Sequence, residues 1–150
     1  MRAVLQRVTN ASVTIHGEVS AQIGPGLVVL LGIANDDDKE DAAWLARKIA
    51  AMRIFSDDAG LMNLDIAAIN GDILAVSQFT LLGDYKKGNR PSFITAARPE
   101  TAIPLYEHFL EQLTQLLGKP AQTGVFGADM KIALVNDGPV TIMMDSRTRA

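Results

Sequence analysis

Two short segments carry side chains whose types and spacing could do chemistry. Ser77-Gln78-Phe79-Thr80 closes an apolar run beginning at Asp72. Hydroxyl and amide groups inside a core strand must find hydrogen-bond partners. At a strand's end the same groups line a crevice, a common ligand position in α/β sheets. The alternative is a polar strand terminus leading into the turn at Gly83-Asp84. The second segment is Asn136-Asp137-Gly138-Pro139-Val140-Thr141. Asp-Gly-Pro between two apolar runs is a turn signal, and a plain turn is one reading. A functional reading rests on backbone groups: glycine permits close approach and unusual dihedrals, and proline can be held cis and re-aim neighbouring carbonyls.

Other catalytic equipment is scarce. The chain has no cysteine, which removes disulfides, thiolate nucleophiles and Fe–S ligation and fits a reducing compartment. Of its two histidines, His16 lies beside a turn signal and His108 in the middle of a helical pattern. Neither is close in sequence to a candidate nucleophile, and no HExxH or calcium-loop spacing occurs, so no metal and no cofactor are expected. Gly24-Pro25-Gly26 and Gly124-Val125-Phe126-Gly127 lack the strand–glycine–helix setting of a phosphate loop. Kinase and dehydrogenase chemistry have no support here. A serine esterase pairing Ser77 with His108 stays open, provided the fold brings them together.

The elements that must position these segments follow from periodicity. Alternation over Val4–Thr9 and Ser12–His16 predicts strand, with His16-Gly17-Glu18 turning into a returning strand over Val19–Ile23. Leu27–Ile33 is a continuous apolar run, as expected of a strand buried on both faces. Asn35–Glu40 reads as a helix start with Asp37 and Glu40 at capping-box spacing. Leu45, Ile49 and Met52 form its apolar stripe, and it ends near Arg53. Asp72–Leu81 is the next strand, followed by a basic loop at Lys86–Pro91. A second helix over Ala102–Leu117 carries Tyr106, Phe109 or Leu110, Leu113 and Leu117, with Pro104 in its first turn. Met130–Val135 and Val140–Met144 are read as a closing strand pair joined by the Asn136–Pro139 turn. The tail after Asp145 has no assigned task, and fraying is its default.

With 150 residues and 48% apolar composition, these elements imply one mixed α/β domain over residues 1–150. No apolar stretch approaches the roughly 20 residues of a membrane-spanning helix. The N-terminus shows no signal-peptide layout, so no membrane association and a cytoplasmic location are expected. The net charge of −3 argues against broad, nonspecific nucleic-acid binding, and no DNA partner is expected.

Together the two segments are specific. SQFTL at 77–81 and NDGPVT at 136–141 resemble the two signature motifs of the D-aminoacyl-tRNA deacylases, also called D-Tyr-tRNA deacylases. The resemblance runs nearly end to end. It takes in LQRVTNASVTIHGEVSAQIGPGLVVLLGI at 5–33, MRIFSDDAGLMNL at 52–64, NRPSF at 89–93 and TGVFGADM at 123–130. Neither signature motif is broken.

The resemblance implies a three-layer α/β/β fold with two main helices on β-sheets, and a homodimer with active sites at its interface. Ser77, Gln78, Phe79 and Thr80 would form one wall of a pocket, faced by a cis Gly138–Pro139 segment of the partner subunit. Arg7 would support that segment, and Phe126, Gly127, Ala128 and Met130 would lie near a terminal adenosine. The implied reaction is hydrolysis of the ester between a D-amino acid, or glycine, and the 3′ end of tRNA. Phe79 and Thr80 would supply backbone N–H groups to the developing oxyanion, while Gly138 and Pro139 would exclude L side chains. Lys86, Lys87, Arg90 and Arg98 against Asp84 give the 83–98 segment a charge of +3 (four minus one). It would reach tRNA phosphates, or it is a solvated loop. A non-enzymatic dimeric binder of D-amino acids or nucleosides is the further alternative.

Overall fold

Strands buried on both faces account for the layering. The computed structural model describes residues 1–149. In chain order these form β1 (Arg2–Ile15), β2 (Glu18–Ile23), β3 (Gly26–Gly32), α1 (Lys39–Ala51), β4 (Phe55–Ser56) and β5 (Met62–Leu64). Then come β6 (Asp72–Ser77), a 3₁₀ turn (Phe79–Leu82), α2 (Pro99–Leu117), β7 (Gln122–Thr123) and β8 (Lys131–Asp145). The main sheet runs β2-β1-β3-β6-β7, with β8 on β1 and β4–β5 a separate hairpin. β3 pairs parallel with β6, and β6 with β7, whereas β1 is antiparallel to β2, β3 and β8. The fold is mixed α/β.

In β3, Leu27, Val29 and Leu31 face a core shared with α1 and α2, while Val28 faces a second core. In β6, Ile73 and Ala75 join the first core, and Leu74 and Val76 the second. Period-two alternation therefore splits two continuous apolar runs between two cores. The second core also holds Val8, Val13 and Ile23, with Met130, Ile132 and Leu134 packed against it from β8 and the segment before it. Helices, central strands and the curled β1–β2–β8 part thus stack as three layers.

The expected closing strand pair is corrected. The two halves of β8 do not pair with each other; both pair with β1. The register runs from Arg2↔Asp145 to Gln6↔Thr141, then resumes at Val8↔Asn136 and continues to Thr14↔Lys131. Two steps along β1 therefore match five along β8, and residues 137–140 are thrown out of the ladder as a large bulge. A hairpin turn and such a bulge need the same glycine and proline. Only the partner strand decides between them.

Three boundaries also shift. The α1 cap is Asp38, whose side chain accepts from the Glu40 and Asp41 N–H groups while Asp41 accepts from the Asp38 N–H. Asp37 is free of that duty because the Met1 ammonium donates to it at 2.7 Å in a fully buried ion pair. The strand predicted to Leu81 ends at Ser77 and turns into the 3₁₀ turn. Helix α2 starts at Pro99, a favoured first-turn residue, so exposed Pro104 falls in its second turn. The tail does not fray at its root: Ser146 is buried, accepts from the Met1 ammonium at 2.9 Å and donates to Asp41 at 2.7 Å. Arg147 adds bonds to Asp37 and Asp36, and the Arg149 guanidinium lies 4.5 Å from the Trp44 ring centroid. Among the described residues no helix is long and apolar enough to cross a membrane.

Candidate active site

The end of β6 is set by its neighbour. The Gln78 N–H donates to the Leu31 carbonyl at 2.7 Å, anchoring the chain to β3 just as the strand gives way to the turn. Gly32 makes the docking possible. A Cβ there would lie 2.6 Å from Leu82 Cδ2 and 3.0 Å from the Gln78 carbonyl oxygen, so the turn sits directly on bare backbone. The turn is closed by Leu81 N–H to Gln78 carbonyl and Gly83 N–H to Thr80 carbonyl. Among the described residues, the Phe79 and Thr80 N–H groups find no protein acceptor. They are the first two amides of the turn, where orphan donors are expected.

Beside this turn lies a cavity of about 290 Å³. Ser77, Gln78 and Phe79 form one side, and Phe126, Gly127, Ala128, Asp129 and Met130 the opposite side. Ala97, Ala102, Ile33 and Ile132 complete apolar walls. The far side is shaped by a turn closed from Ala128 N–H to the Val125 carbonyl. Phe126 leans on Tyr106 of α2, with ring centroids 6.0 Å apart. The buried Tyr106 hydroxyl donates to the Ala75 carbonyl at 3.1 Å, and burial pushes its pKa up to about 12. Tyr106 therefore stays a neutral donor tying α2 to β6. The helical stripe placed it in the core; it does not line the cavity itself but backs Phe126, which does. Gly32, Ala97 and Ala102 were unmarked as site residues.

The cavity is poor in ionisable groups, with Asp129 alone among its lining residues. The Gln78 side-chain amide donates to the Thr80 hydroxyl, so the nearest partner of that hydroxyl is an amide and not a base. His108, on α2, does not line the cavity that Ser77 lines, and no bond joins the two among the described residues. The serine esterase reading loses its geometric premise. Among the described residues no cluster of His, Cys, Asp or Glu could hold a metal ion.

Gly138 and Pro139 are exposed at the tip of the β8 bulge, joined by a cis peptide bond, and do not line this chain's cavity. Gly138 has φ +124°, a value only glycine adopts readily. Arg7 falls in the gap of the register, without a partner residue in β8. Its Nε donates to the Asp137 carbonyl at 3.2 Å and its guanidinium also donates to the Ile54 carbonyl at 2.7 Å. The Asp137 carboxylate lies 3.4 Å from Nε. Lys86, Lys87 and Arg90 occupy an exposed loop closed by paired backbone bonds between Asp84 and Ser92. Phe93 on this loop meets exposed Phe79 edge-on at 5.2 Å. The structure thus brings Ser77–Phe79 and Phe126–Met130 around one cavity, leaves Thr80 next to Phe79 but outside the cavity lining together with Lys86, Lys87 and Arg90, and sets Arg7 with Gly138–Pro139 apart from it.

Known proteins share this fold over their whole length. The family model described as D-Tyr-tRNA(Tyr) deacylase matches residues 4–145. A D-aminoacyl-tRNA deacylase of Akkermansia muciniphila is 58% identical over 149 residues, covering 99% of both chains. A solved structure described as c-Myc DNA unwinding element binding protein superposes with a TM-score of 0.90 at 42% identity, covering 97% of this chain and 98% of the other. Another, described as a probable eukaryotic D-amino acid tRNA deacylase, shares the fold at a TM-score of 0.82 and 17% identity, covering 95% and 97%. With both signature segments intact and the match running from β1 to the end of β8, this chain belongs to the D-Tyr-tRNA(Tyr) deacylase family.

Proposed function

We propose that this protein hydrolyses the ester of D-aminoacyl-tRNA and of glycyl-tRNA, releasing the amino acid and tRNA, and spares L-aminoacyl-tRNA. The chain acts as one domain of a homodimer. The observation that carries the reading is the pair of orphan N–H groups at Phe79 and Thr80 beside a cavity nearly free of ionisable groups. Two preorganised amides stabilise the oxyanion formed as the ester carbonyl is attacked, and such donors are typically worth about 10²–10³ in rate. Water is the nucleophile, activated by the neighbouring ribose 2′-hydroxyl, because the Thr80 hydroxyl is bonded to an amide that cannot take up its proton. Ser77 and Gln78 bind the aminoacyl part. Phe126, Gly127, Ala128 and Met130 receive the terminal adenosine, and Lys86, Lys87 and Arg90 meet the phosphates behind it.

Selectivity comes from the partner subunit's bulge. The exposed Gly138 and Pro139 have no partner on β1, so their carbonyls are available to the substrate ammonium, and their bulk occupies the place of an L side chain. A D side chain points away and glycine has none. Rejection rests on a clash and not on weaker attraction.

Single-turnover deacylation of D-Tyr-, Gly- and L-Tyr-tRNA tests the whole reading: the first two are cleaved and the third survives. Comparable cleavage of L-Tyr-tRNA removes the gate, and no cleavage of any of them leaves a binding module. In the same assay Thr80→Val retains most activity, since its backbone N–H remains. A loss as deep as that of deleting the site would make the hydroxyl a nucleophile.

A further inference from the structure

The β8 bulge is attached at two points, of which Arg7 supplies one. On the β1 side Arg7 holds the Asp137 carbonyl. At its neck, half-buried Asn136 makes two side-chain bonds: Oδ1 accepts from the Val140 N–H at 3.1 Å, and Nδ2 donates to the Thr141 hydroxyl at 3.0 Å. Asn136 and Thr141 are the residues at which pairing with β1 stops and resumes, opposite Val8 and Gln6. The asparagine therefore bridges the two ends of the loop from one side.

We propose that Asn136 is a positioning residue for substrate selectivity, a clasp whose two bonds keep the Gly138–Pro139 tip in place. The inference rests on the reading of that tip as the gate against L substrates. Residues 137–140 have no ladder partner on β1, and a segment left unfixed regains backbone entropy that favours its wandering. Rejection by a clash demands a tip held to within about 0.5 Å, since a tip that tilts aside lets the L side chain in. Arg7 fixes the start of the loop but makes no bond to Val140 or Thr141. Among the described residues Asn136 supplies the side-chain hydrogen bonds that tie the Val140 end back to the beginning, while the Val140 side chain rests against the main core. The amides of Phe79 and Thr80 lie on a different element, so the clasp controls which enantiomer is admitted more than how fast an admitted ester is cleaved.

The test is the ratio of L-Tyr-tRNA to D-Tyr-tRNA single-turnover rates in the intact protein, with thermal unfolding alongside. Asn136→Ala removes both bonds and raises the L:D ratio about tenfold, the D rate falling by less than that factor because the displaced tip also loosens its hold on the substrate ammonium. Asn136→Asp keeps the acceptor for Val140 and lets the Thr141 hydroxyl donate to its other oxygen, so the ratio stays near that of the unaltered protein; Thr141→Val removes one bond of the two and raises the ratio less than Asn136→Ala does. Hydrogen exchange at the Val140 amide speeds up in Asn136→Ala and not in Asn136→Asp. Pro139→Ala distinguishes the gate from the clasp. If it raises the ratio while Asn136→Ala does not, the clasp is wrong and the gate stands. If neither changes the ratio, the gate fails and takes the clasp with it. Equal loss of both rates with a lowered unfolding temperature would make Asn136 merely structural, which also overturns the proposal.

Discussion

The densest set of charges in this molecule and its candidate active site lie in different places and are built from opposite materials. Near the chain termini, the Met1 ammonium, Asp37, Asp41, Ser146 and Arg147 form a partly buried ionic network. The cavity between Ser77–Phe79 and Phe126–Met130 holds Asp129 as its ionisable lining residue. By residue type the network resembles catalytic machinery and the cavity does not. Yet each charge in the network is already answered by another: the Asp37 carboxylate takes the ammonium, the Ala34 N–H and Arg147. Groups so fully satisfied have nothing left for a substrate. Beside the cavity, at the start of the 79–82 turn, stand instead two backbone donors without acceptors among the described residues. On the proposed reading, unmet backbone groups and not titratable side chains mark the reactive place in this fold.

The most forceful way to break that contrast is Asp37→Ala. It leaves the Met1 ammonium, itself without solvent exposure, bonded to the Ser146 hydroxyl alone, with the Asp41 carboxylate as the nearest remaining countercharge. Removing one partner of a buried pair costs about 3–5 kcal/mol, which urea unfolding measures as a lowered midpoint at unchanged slope. The rate of D-Tyr-tRNA cleavage per folded molecule stays the same. A variant of unaltered stability but depressed rate would place the network in catalysis and dissolve the distinction.

What could be read from sequence divides along a similar line. The double burial of β3 and β6 was legible because an unbroken apolar run of strand length suits few places besides the middle of a covered sheet. Ser77–Thr80 stood out because its polar groups break the rule for a core strand, whereas Asn136–Thr141 obeys the rule for a turn and gains its meaning from the family resemblance alone. The β8 bulge was not legible, since Asn-Asp-Gly-Pro suits a hairpin turn equally well and the deciding contact is with Gln6 and Val8, far away in the chain. The capping register slipped by one residue for a comparable reason. Asp37 and Asp38 are both good caps, and the distant Met1 ammonium and Arg147, with the Ala34 N–H, claim the first. Tyr106 and Gly32 were invisible as supports of the site because a core tyrosine and a strand-end glycine look ordinary until another element rests on them. Long-range pairing was the missing information in each case.

A smaller effect separates the regions by pH. Burial works against the Asp41 carboxylate. The Asp38 N–H, the Ser146 hydroxyl, Arg147 and the Met1 ammonium outweigh it and hold its pKa below the ordinary 3.8. A depressed native pKa means the unfolded chain binds the proton more readily. The resulting stability is present above the unfolded value and is lost as pH falls through the native one. Unfolding midpoints therefore decline below about pH 4, and Asp41→Asn shallows that decline. Asp57 is depressed as well, chiefly by the Leu61 N–H and the Asn63 side chain, so part of the acid loss persists in the variant. An acid limb identical in both proteins would show that Asp41 gains nothing from the network.

The mildest test compares buried charge with free charge. Among the described residues Lys86, Lys87 and Arg90 pair with no carboxylate, and their loop begins two residues beyond the 79–82 turn. A cation held against a phosphate displaces condensed counterions, and for single strands each such contact adds about 0.7 to the slope of log affinity against log salt. Lys86→Ala with Lys87→Ala therefore flattens the salt dependence of tRNA binding by about 1.4 if both lysines reach phosphate. Folding stability hardly moves, because exposed unpaired lysines contribute little to it. Lys39→Ala, at the start of α1, is the control that leaves the slope alone. Should the double variant keep the original slope, the loop is only solvated, and the tRNA phosphates must be held by another part of the surface. The buried network cannot substitute for it, since its cations are already bound to Asp36, Asp37 and Asp41.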